Sequence, residues 1–279
     1  MRRFLTVIAG LLAVVLIGAS IFAVITTRKS FPSTTGNVEL SGLTDPVQIM
    51  RDEHGIPQIY AENSADLFFA QGYTHAQDRF FEMDFRRHVT SGRLSELFGT
   101  SALETDKFVR TLGWRRVAEQ EVADLDAKTL DLVEAYARGV NAYIDGKSGS
   151  ELSLEYAVLS LTGPDYRPEP WVSADSVAWI KAMAWDLASN MDDEISRVLI
   201  GDKVGDEEVE QLYPEYPYKL NEPIVTQGTV ARGTFDQDAE PRQDAGGPTS
   251  ARAAVAALEQ AGGAADKLPV LLGTGDGIG

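Results

Sequence analysis

The apolar run from Phe4 to Ile25, broken only by Thr, Gly and Ser, constrains this chain more than any other stretch. It is bracketed by Arg2-Arg3 and Arg28-Lys29. As a helix it reaches roughly 33 Å, enough to cross the hydrocarbon core of a bilayer. A cleaved signal peptide usually has a shorter apolar core and a small-x-small exit, and Ile21-Phe22-Ala23-Val24-Ile25 offers no clean site. Residues 1–32 are therefore expected to be an uncleaved N-terminal membrane anchor. The alternative is a signal cut near Ala19 or Ala23. Both routes carry the remainder out of the cytoplasm, and a buried core helix fits poorly between two charged flanks.

The rest of the chain is globular in composition, with 44% hydrophobic residues over 279 positions, enough for one large domain or two ordinary ones. Against 25 Lys+Arg stand 42 Asp+Glu, a formal net charge of -17 that repels a phosphate backbone, so nucleic acid is not expected as a partner. There is no Cys, which removes disulfides, thiolate zinc sites and a cysteine nucleophile. The three histidines, His54, His75 and His88, have no metal-motif spacing.

Ser33 to Asn37 reads as a small polar linker that frees the following domain from a membrane surface. Val47-Gln48-Ile49 alternates as a strand, Asp52-Glu53-His54-Gly55 supplies a turn, and Pro57-Gln58-Ile59-Tyr60 resumes extension, so a hairpin is expected. Asn63 or Ser64 caps a long helix whose apolar positions are dense enough to bury most of its girth. Further helices are expected at 115–123, 127–144, 152–161, 173–188 and 192–200. The stripe Leu130, Val133, Ala137, Val140, Ile144 is the most regular. Gly163 to Trp171, with three prolines, is stiff loop, and Ser173 has N-cap chemistry for the helix after it. From about Glu222 large apolar residues thin out, leaving a loop-like segment with one helical patch at 251–260.

The stretch from Pro46 to Gly99 contains RDEHGIPQIYA and, on the following helix, GYTHAQDRFFEM. Together these fit RDxxGxPxIYA and GYxxAQDRxFxM, a specific combination that resembles the penicillin acylase family of N-terminal nucleophile hydrolases. The resemblance implies an α+β, four-layer αββα fold to which this chain contributes mostly helices and a short N-terminal hairpin. It implies an α-chain domain over 33–221 and a spacer over 222–279 that covers a binding cleft until excised. The terminal GTGDGIG resembles the residues before the family's catalytic serine, so the scissile bond is expected after Gly279. A nucleotide-binding loop would instead need a helix after it, and the sequence places none there.

On that resemblance no catalytic residue is in this chain. The nucleophile is an N-terminal serine of a partner β chain, with its own α-amino group as base, because an α-amine is partly neutral near physiological pH. The reaction implied is hydrolysis of an N-acyl amide, a β-lactam side chain or an N-acyl homoserine lactone. Ala184, Leu187 and Ala188 match positions that line the acyl pocket; penicillin G acylases carry an Arg and a Phe where this chain has Leu187 and Ala188. Glu194 matches one ligand of a structural calcium ion, whose other oxygens must come from the β chain; no organic cofactor is implied. Read without the resemblance, the 173–188 segment is simply a core helix, and Asp192-Asp193-Glu194 favours the dipole of the next helix. Asp186 is expected to be a buried carboxylate with a partner. Arg79, Asp84, Arg86 and Arg87 are expected as internal ion pairs and His75 as a satisfied core histidine.

Two other functional classes fit the same features: a membrane-anchored extracytoplasmic binding or sensor domain, and an inactive truncated relative of the family. A serine codon in frame after Gly279 would favour the enzyme.

Overall fold

A computed structural model describes residues 2–161, 166–187, 190–214, 217, 220–221, 229–231 and 234–237. The described residues form two compact units, one running through Asp186 and one beginning at Leu187, and each is taken by itself.

The first unit is helical apart from one hairpin. Helix α1 spans Arg2–Lys29, and strands β1 (Gln48–Arg51) and β2 (Pro57–Tyr60) pair antiparallel with Gln48 opposite Tyr60. Asp52 makes the turn: its Oδ1 accepts the backbone N–H groups of His54 and Ile56, both at 2.9 Å. The expected hairpin is therefore present, and so is the long helix α2, Ser64–Ser91. Asn63 is its cap, accepting the Asp66 N–H at 2.9 Å. The two sequence patterns that flank this region are bonded to each other. Arg51 of the hairpin donates to both Asp78 carboxylate oxygens, at 2.7 and 2.9 Å, and to Gln77 Oε1 at 2.8 Å. Such a bidentate, charge-assisted pair fixes direction as well as distance.

After α2 come two short helices, α3 (Ser95–Phe98) and α4 (Leu103–Leu112), which the sequence pattern did not announce. The buried Asp106 on α4 accepts the N–H groups of Leu94 and Ser95 at 2.7 and 2.8 Å, satisfying the N-terminus of α3 from outside it. Helices α5 (Trp114–Asp124) and α6 (Ala127–Ile144) follow at the expected places. The helix expected over 152–161 is present as the shorter α8 (Leu154–Leu159), preceded by a separate turn, α7 (Gly149–Leu152). A capping box between Ser148 and Glu151 starts a turn four residues early, and Ser153 is extended (φ -158°, ψ 160°), so the two cannot be continuous. Helix α9 spans Ser173–Leu187. Ser173 is already helical, and Asp175 accepts the N–H of Val172, the residue before the helix, at 2.8 Å, the back-reaching half of a capping box rather than the N-cap bond expected of Ser173.

The most extensive helix pair is α2 with α6. They cross through two glycines: a methyl group on Gly139 would lie 1.9 Å from the Phe69 carbonyl oxygen, and one on Gly72 would lie 2.1 Å from that of Tyr136. Around the crossing, Ala76 and Phe80 of α2 pack with Ala137, Val140 and Ile144 of α6 and with Tyr156 and Trp171. The C-terminal half of the predicted α6 stripe is buried here, while Leu130 and Val133 are half-buried.

In the second unit α10 spans Met191–Val204 and α11 spans Asp206–Leu212, with the Arg197 guanidinium 4.8 Å from the centre of the Tyr213 ring. A small antiparallel hairpin, β3 (Thr229–Ala231) and β4 (Thr234–Asp236), pairs Val230 with Phe235 inside the segment read as loop-like. The 251–260 patch and the terminal GTGDGIG lie outside the described residues.

Two outcomes follow from these contacts. At Gly139 the obstacle to a side chain is backbone, which cannot rotate away, so Gly139→Ala should destabilise the first unit by on the order of 3 kcal/mol in urea unfolding. Asp66 is the second case. Burial raises its pKa, but the N–H groups of Thr44 and Asp45, both at 2.9 Å, and Asn63 Nδ2 at 2.6 Å outweigh this and hold it below the usual carboxylate range. A depressed folded pKa contributes stability that is complete above the unfolded value of about 3.9 and is lost as pH falls through the folded value. Asp66→Asn should cost about 2 kcal/mol at neutral pH, and the deficit should shrink in unfolding curves taken below about pH 4; a deficit independent of pH would refute the charged-acceptor account.

Candidate functional site

Helix α9 is apolar on two sides. Ala174, Val177, Ala178 and Ala182 are buried, and Ala118 of α5 packs against Val177 and Ala178. Ile180, Met183, Ala184 and Leu187, spaced i, i+3, i+4, i+7, form a second stripe that faces solvent, with Ile180 59% and Leu187 77% exposed. Apolar residues all round a helix mean that both sides are meant to be covered. The structure thus brings Ala184 and Leu187 onto one exposed face; Ala188 lies outside the described residues. Asp186 is half-buried rather than buried.

What orients α9 is a buried polar network. Asp84, fully buried on α2, accepts Arg87 Nε at 2.9 Å and the Tyr156 hydroxyl at 2.5 Å. Arg87 also donates to the Glu169 and Pro170 carbonyls, at 3.0 and 3.3 Å, and lies 3.8 Å from Asp175 on α9. Asp175 in turn pairs with Arg115 of α5. Burial alone would lower the Arg87 pKa, but the Asp84 and Asp175 carboxylates raise it overall, so the guanidinium stays charged. Burial pushes the Tyr156 phenol up, with Asp84 adding to the effect, so it remains a donor. The expectation of internal ion pairs holds for Asp84 and Arg87. It does not describe Arg86, which lies 4.5 Å over the Trp179 ring, nor Arg79, which is exposed beside Glu82.

A groove of about 480 Å³ opens between α2, α6 and the start of α9, lined largely by Phe68, Met83, Val133, Tyr136, Trp171 and Trp179 with Arg86 at its side. Neither Ala184 nor Leu187 lines it. His75 does, and it is exposed rather than a core residue; its Nδ1 is 3.0 Å from the Tyr136 hydroxyl. Partial burial lowers the His75 pKa against the opposing charge of Asp78, and burial pushes the Tyr136 phenol up to about 12, so both are neutral near pH 7. Apart from its three prolines, the loop before α9 carries no sequence sign of this groove.

Acyl-transfer machinery is not assembled among the described residues. His88 is buried with Nδ1 2.7 Å from the Asp84 carbonyl and Nε2 3.4 Å from the Tyr166 hydroxyl, and His54 stands on the exposed hairpin turn beside Glu53. The hydroxyls that His75 and His88 face are the phenols of Tyr136 and Tyr166, and among the described residues no histidine bonds a serine or threonine hydroxyl. In the second unit, Glu194 is exposed in the first turn of α10 and accepts Asn190 Nδ2 at 2.8 Å. No group of three His, Asp or Glu side chains able to hold a metal exists among the described residues. Calcium takes six to eight oxygens, so the described residues alone do not fit the ion.

A family model described as penicillin amidase matches residues 46–265. The chain is 37% identical to the acyl-homoserine lactone acylase QuiP of Pseudomonas aeruginosa over 188 residues, 67% of this chain and 22% of that protein. It is 38% identical to the penicillin acylase 2 proenzyme of a Pseudomonas species over 162 residues, 58% of this chain and 20% of that protein. The chain thus spans about a fifth of the length of the curated relatives it matches. Among solved structures it is similar to a thermostable penicillin G acylase from Alcaligenes faecalis, with a TM-score of 0.51 and 26% identity over 67% of this chain and 96% of that chain. A mostly helical chain with a short hairpin is what that structure matches. By sequence motif, family model and fold, this chain belongs to the penicillin amidase family.

Proposed function

We propose that this chain is the α-chain portion of an amidohydrolase that cleaves N-acyl amides with the N-terminal serine of a β chain. The observation that carries the reading is the exposed apolar stripe Ile180, Met183, Ala184, Leu187 on a chain whose described residues hold no serine or threonine hydroxyl bonded to a histidine. A face of that kind suits a wall that becomes a pocket when another chain covers it. Size supports a two-chain arrangement. The matched segment covers 96% of the solved chain but only about a fifth of the curated relatives, one of which is named a proenzyme.

In this reading 33–221 is the α-chain domain, 222–279 is spacer with the scissile bond after Gly279, and the assembled enzyme has the four-layer αββα fold. The serine hydroxyl attacks the substrate amide carbonyl and its proton passes through the α-amino group to the leaving amine. Water then attacks the resulting ester, returning the hydroxyl and releasing the carboxylic acid. Leu187 and Ala188, with Ala184, form the acyl-facing wall. Glu194 supplies one oxygen to a structural calcium ion completed by the β chain, and the ion would tie the chains together without a part in the chemistry. Helix α1 is the anchor that holds the enzyme outside the cytoplasm: its span Gly10–Lys29 has a mean hydropathy of 2.4 and is not buried.

Purified alone, the chain should release no product from N-acyl homoserine lactones or penicillin G. Co-expression with a downstream chain beginning at serine should create activity, and replacing that serine with Ala should abolish it. Turnover by the isolated chain would falsify the assignment.

Specificity gives a second outcome. An apolar wall without the Arg and Phe of penicillin G acylases should favour aliphatic acyl groups over phenylacetyl. Each buried methylene is worth about 0.8 kcal/mol, so lengthening an acyl chain that still fits by two carbons should raise kcat/KM roughly tenfold. Ala188→Phe should reverse the preference, measured as the ratio of kcat/KM for a medium-chain and a phenylacetyl amide. An unchanged ratio would move specificity to the β chain.

A further inference from the structure

The chain does not swing free where α1 ends. Ser30 is buried and its hydroxyl donates to the Thr27 carbonyl at 2.8 Å. The Ser33 carbonyl accepts Gln77 Nε2 of α2 at 2.8 Å, so the segment expected to be a loose linker is bound to the domain. Lys29 Nζ lies 3.5 Å from Ser150 Oγ and 3.9 Å from Glu151 Oε1 on α7, and α1 packs against both α7 and α8. A bilayer crossed by α1 therefore begins beside the domain, with no length of chain to hold the two apart.

The surface around this point is mixed. A groove of about 570 Å³ brings Ser30, Pro32, Ile56 at the hairpin turn and Leu154 at the start of α8 together with the charged side chains of Arg51, Asp78, Arg79 and Glu155. Phe31 is 68% exposed and Ile56 57%. Leu154, Val158 (57% exposed) and Leu161 (70%) recur at i, i+4, i+7 along α8 and the turn after it, while Tyr156 and Ala157 on the other side of α8 are buried. Exposed apolar side chains scattered singly need no explanation, but here Ile56 and Leu154 meet in the groove beside the residues that follow α1, and Val158 and Leu161 continue the stripe from Leu154.

We propose that Phe31, Ile56 and the Leu154–Val158–Leu161 stripe rest in the interface of the bilayer that α1 crosses, so that the domain lies against the membrane. This rests on the reading of α1 as an anchor. Apolar side chains on such a face enter the headgroup and acyl boundary by about 5–10 Å. The charges of this groove carry both signs, Arg51 and Arg79 against Asp78, Glu82 and Glu155, and the whole chain is net -17, so the contact rests on the apolar side chains, with zwitterionic lipid as its partner.

Because the chain has no Cys, single cysteines can carry an environment-sensitive fluorophore without background. The full chain is placed in phosphatidylcholine nanodiscs with labels at Phe31, Val158 or Leu161, at Val15 within α1, and at Lys107 on α4 as an exposed reference. Brominated lipid should quench the Val158 and Leu161 labels several-fold more than the Lys107 label, with blue-shifted emission that persists at high salt. The pair of changes Val158→Asp and Leu161→Asp should restore access of aqueous iodide to a Phe31 label while the chain stays in the nanodisc. If Val158 and Leu161 behave like Lys107 while Val15 is quenched by lipid, the anchor stands and the footprint is refuted. Shielding from both quenchers would also overturn it, by identifying protein as the cover. A water-exposed Val15 label would remove the anchor reading and the footprint with it.

Discussion

At the crossing of α2 and α6 the two backbones touch, because Gly72 and Gly139 leave no side chain between them. Glycine inside a helix costs about 1 kcal/mol relative to alanine, so two of them in long helices are a local loss. The return is an approach close enough for Phe80, Val140 and Tyr156 to close a core around the contact. From that fixed crossing α2 offers three separate faces. One grips the hairpin through Asp78, one carries Asp84 and Arg87 into the interior, and one forms a wall of the groove with Phe68 and Met83.

The interior network then transfers the position of α2 to α9. Burying Asp84, Arg87 and Asp175 carries a desolvation penalty of several kcal/mol for each ion. It is offset only because each charge meets an opposite charge and the remaining donors reach carbonyls of the Glu169–Pro170 loop. Such a network adds little net stability, but it admits few geometries, so α9 is fixed in rotation as well as position. That rotation decides which apolar stripe enters the core and which faces outward.

What could be read from the sequence was whatever depends on neighbours along the chain. The hairpin follows from Asp52 and the alternation around it, Asn63 announces α2, and the stripe through Val140 announces α6. Part of what could not be read depends on a partner in another element: Asp106 on α4 caps α3. The rest is local and turns on which of several neighbouring polar residues takes the bond: Asp175 accepts the Val172 N–H at the start of α9, and Glu151 closes a separate turn with Ser148 before α8. The meeting of Gly72 with Gly139 leaves no local trace, since each alone reads only as a weak helix position. Of the candidate site, Ala184 and Leu187 were assigned by resemblance, yet the outward stripe they belong to was legible at helical spacing. His75 was misjudged because the dense apolar positions around it suggested a buried ring.

The bond between Arg51 and Asp78 makes the hairpin motif and the helix motif a single physical unit. The partners are 27 residues apart, and Asp78 binds the guanidinium through both carboxylate oxygens. Loss of either leaves the other charge without its mate, so the fitness of a change in one motif is conditional on the state of the other. Coupling of this kind is what a double-mutant cycle reads: the effect of replacing Arg51 should depend on whether Asp78 is present.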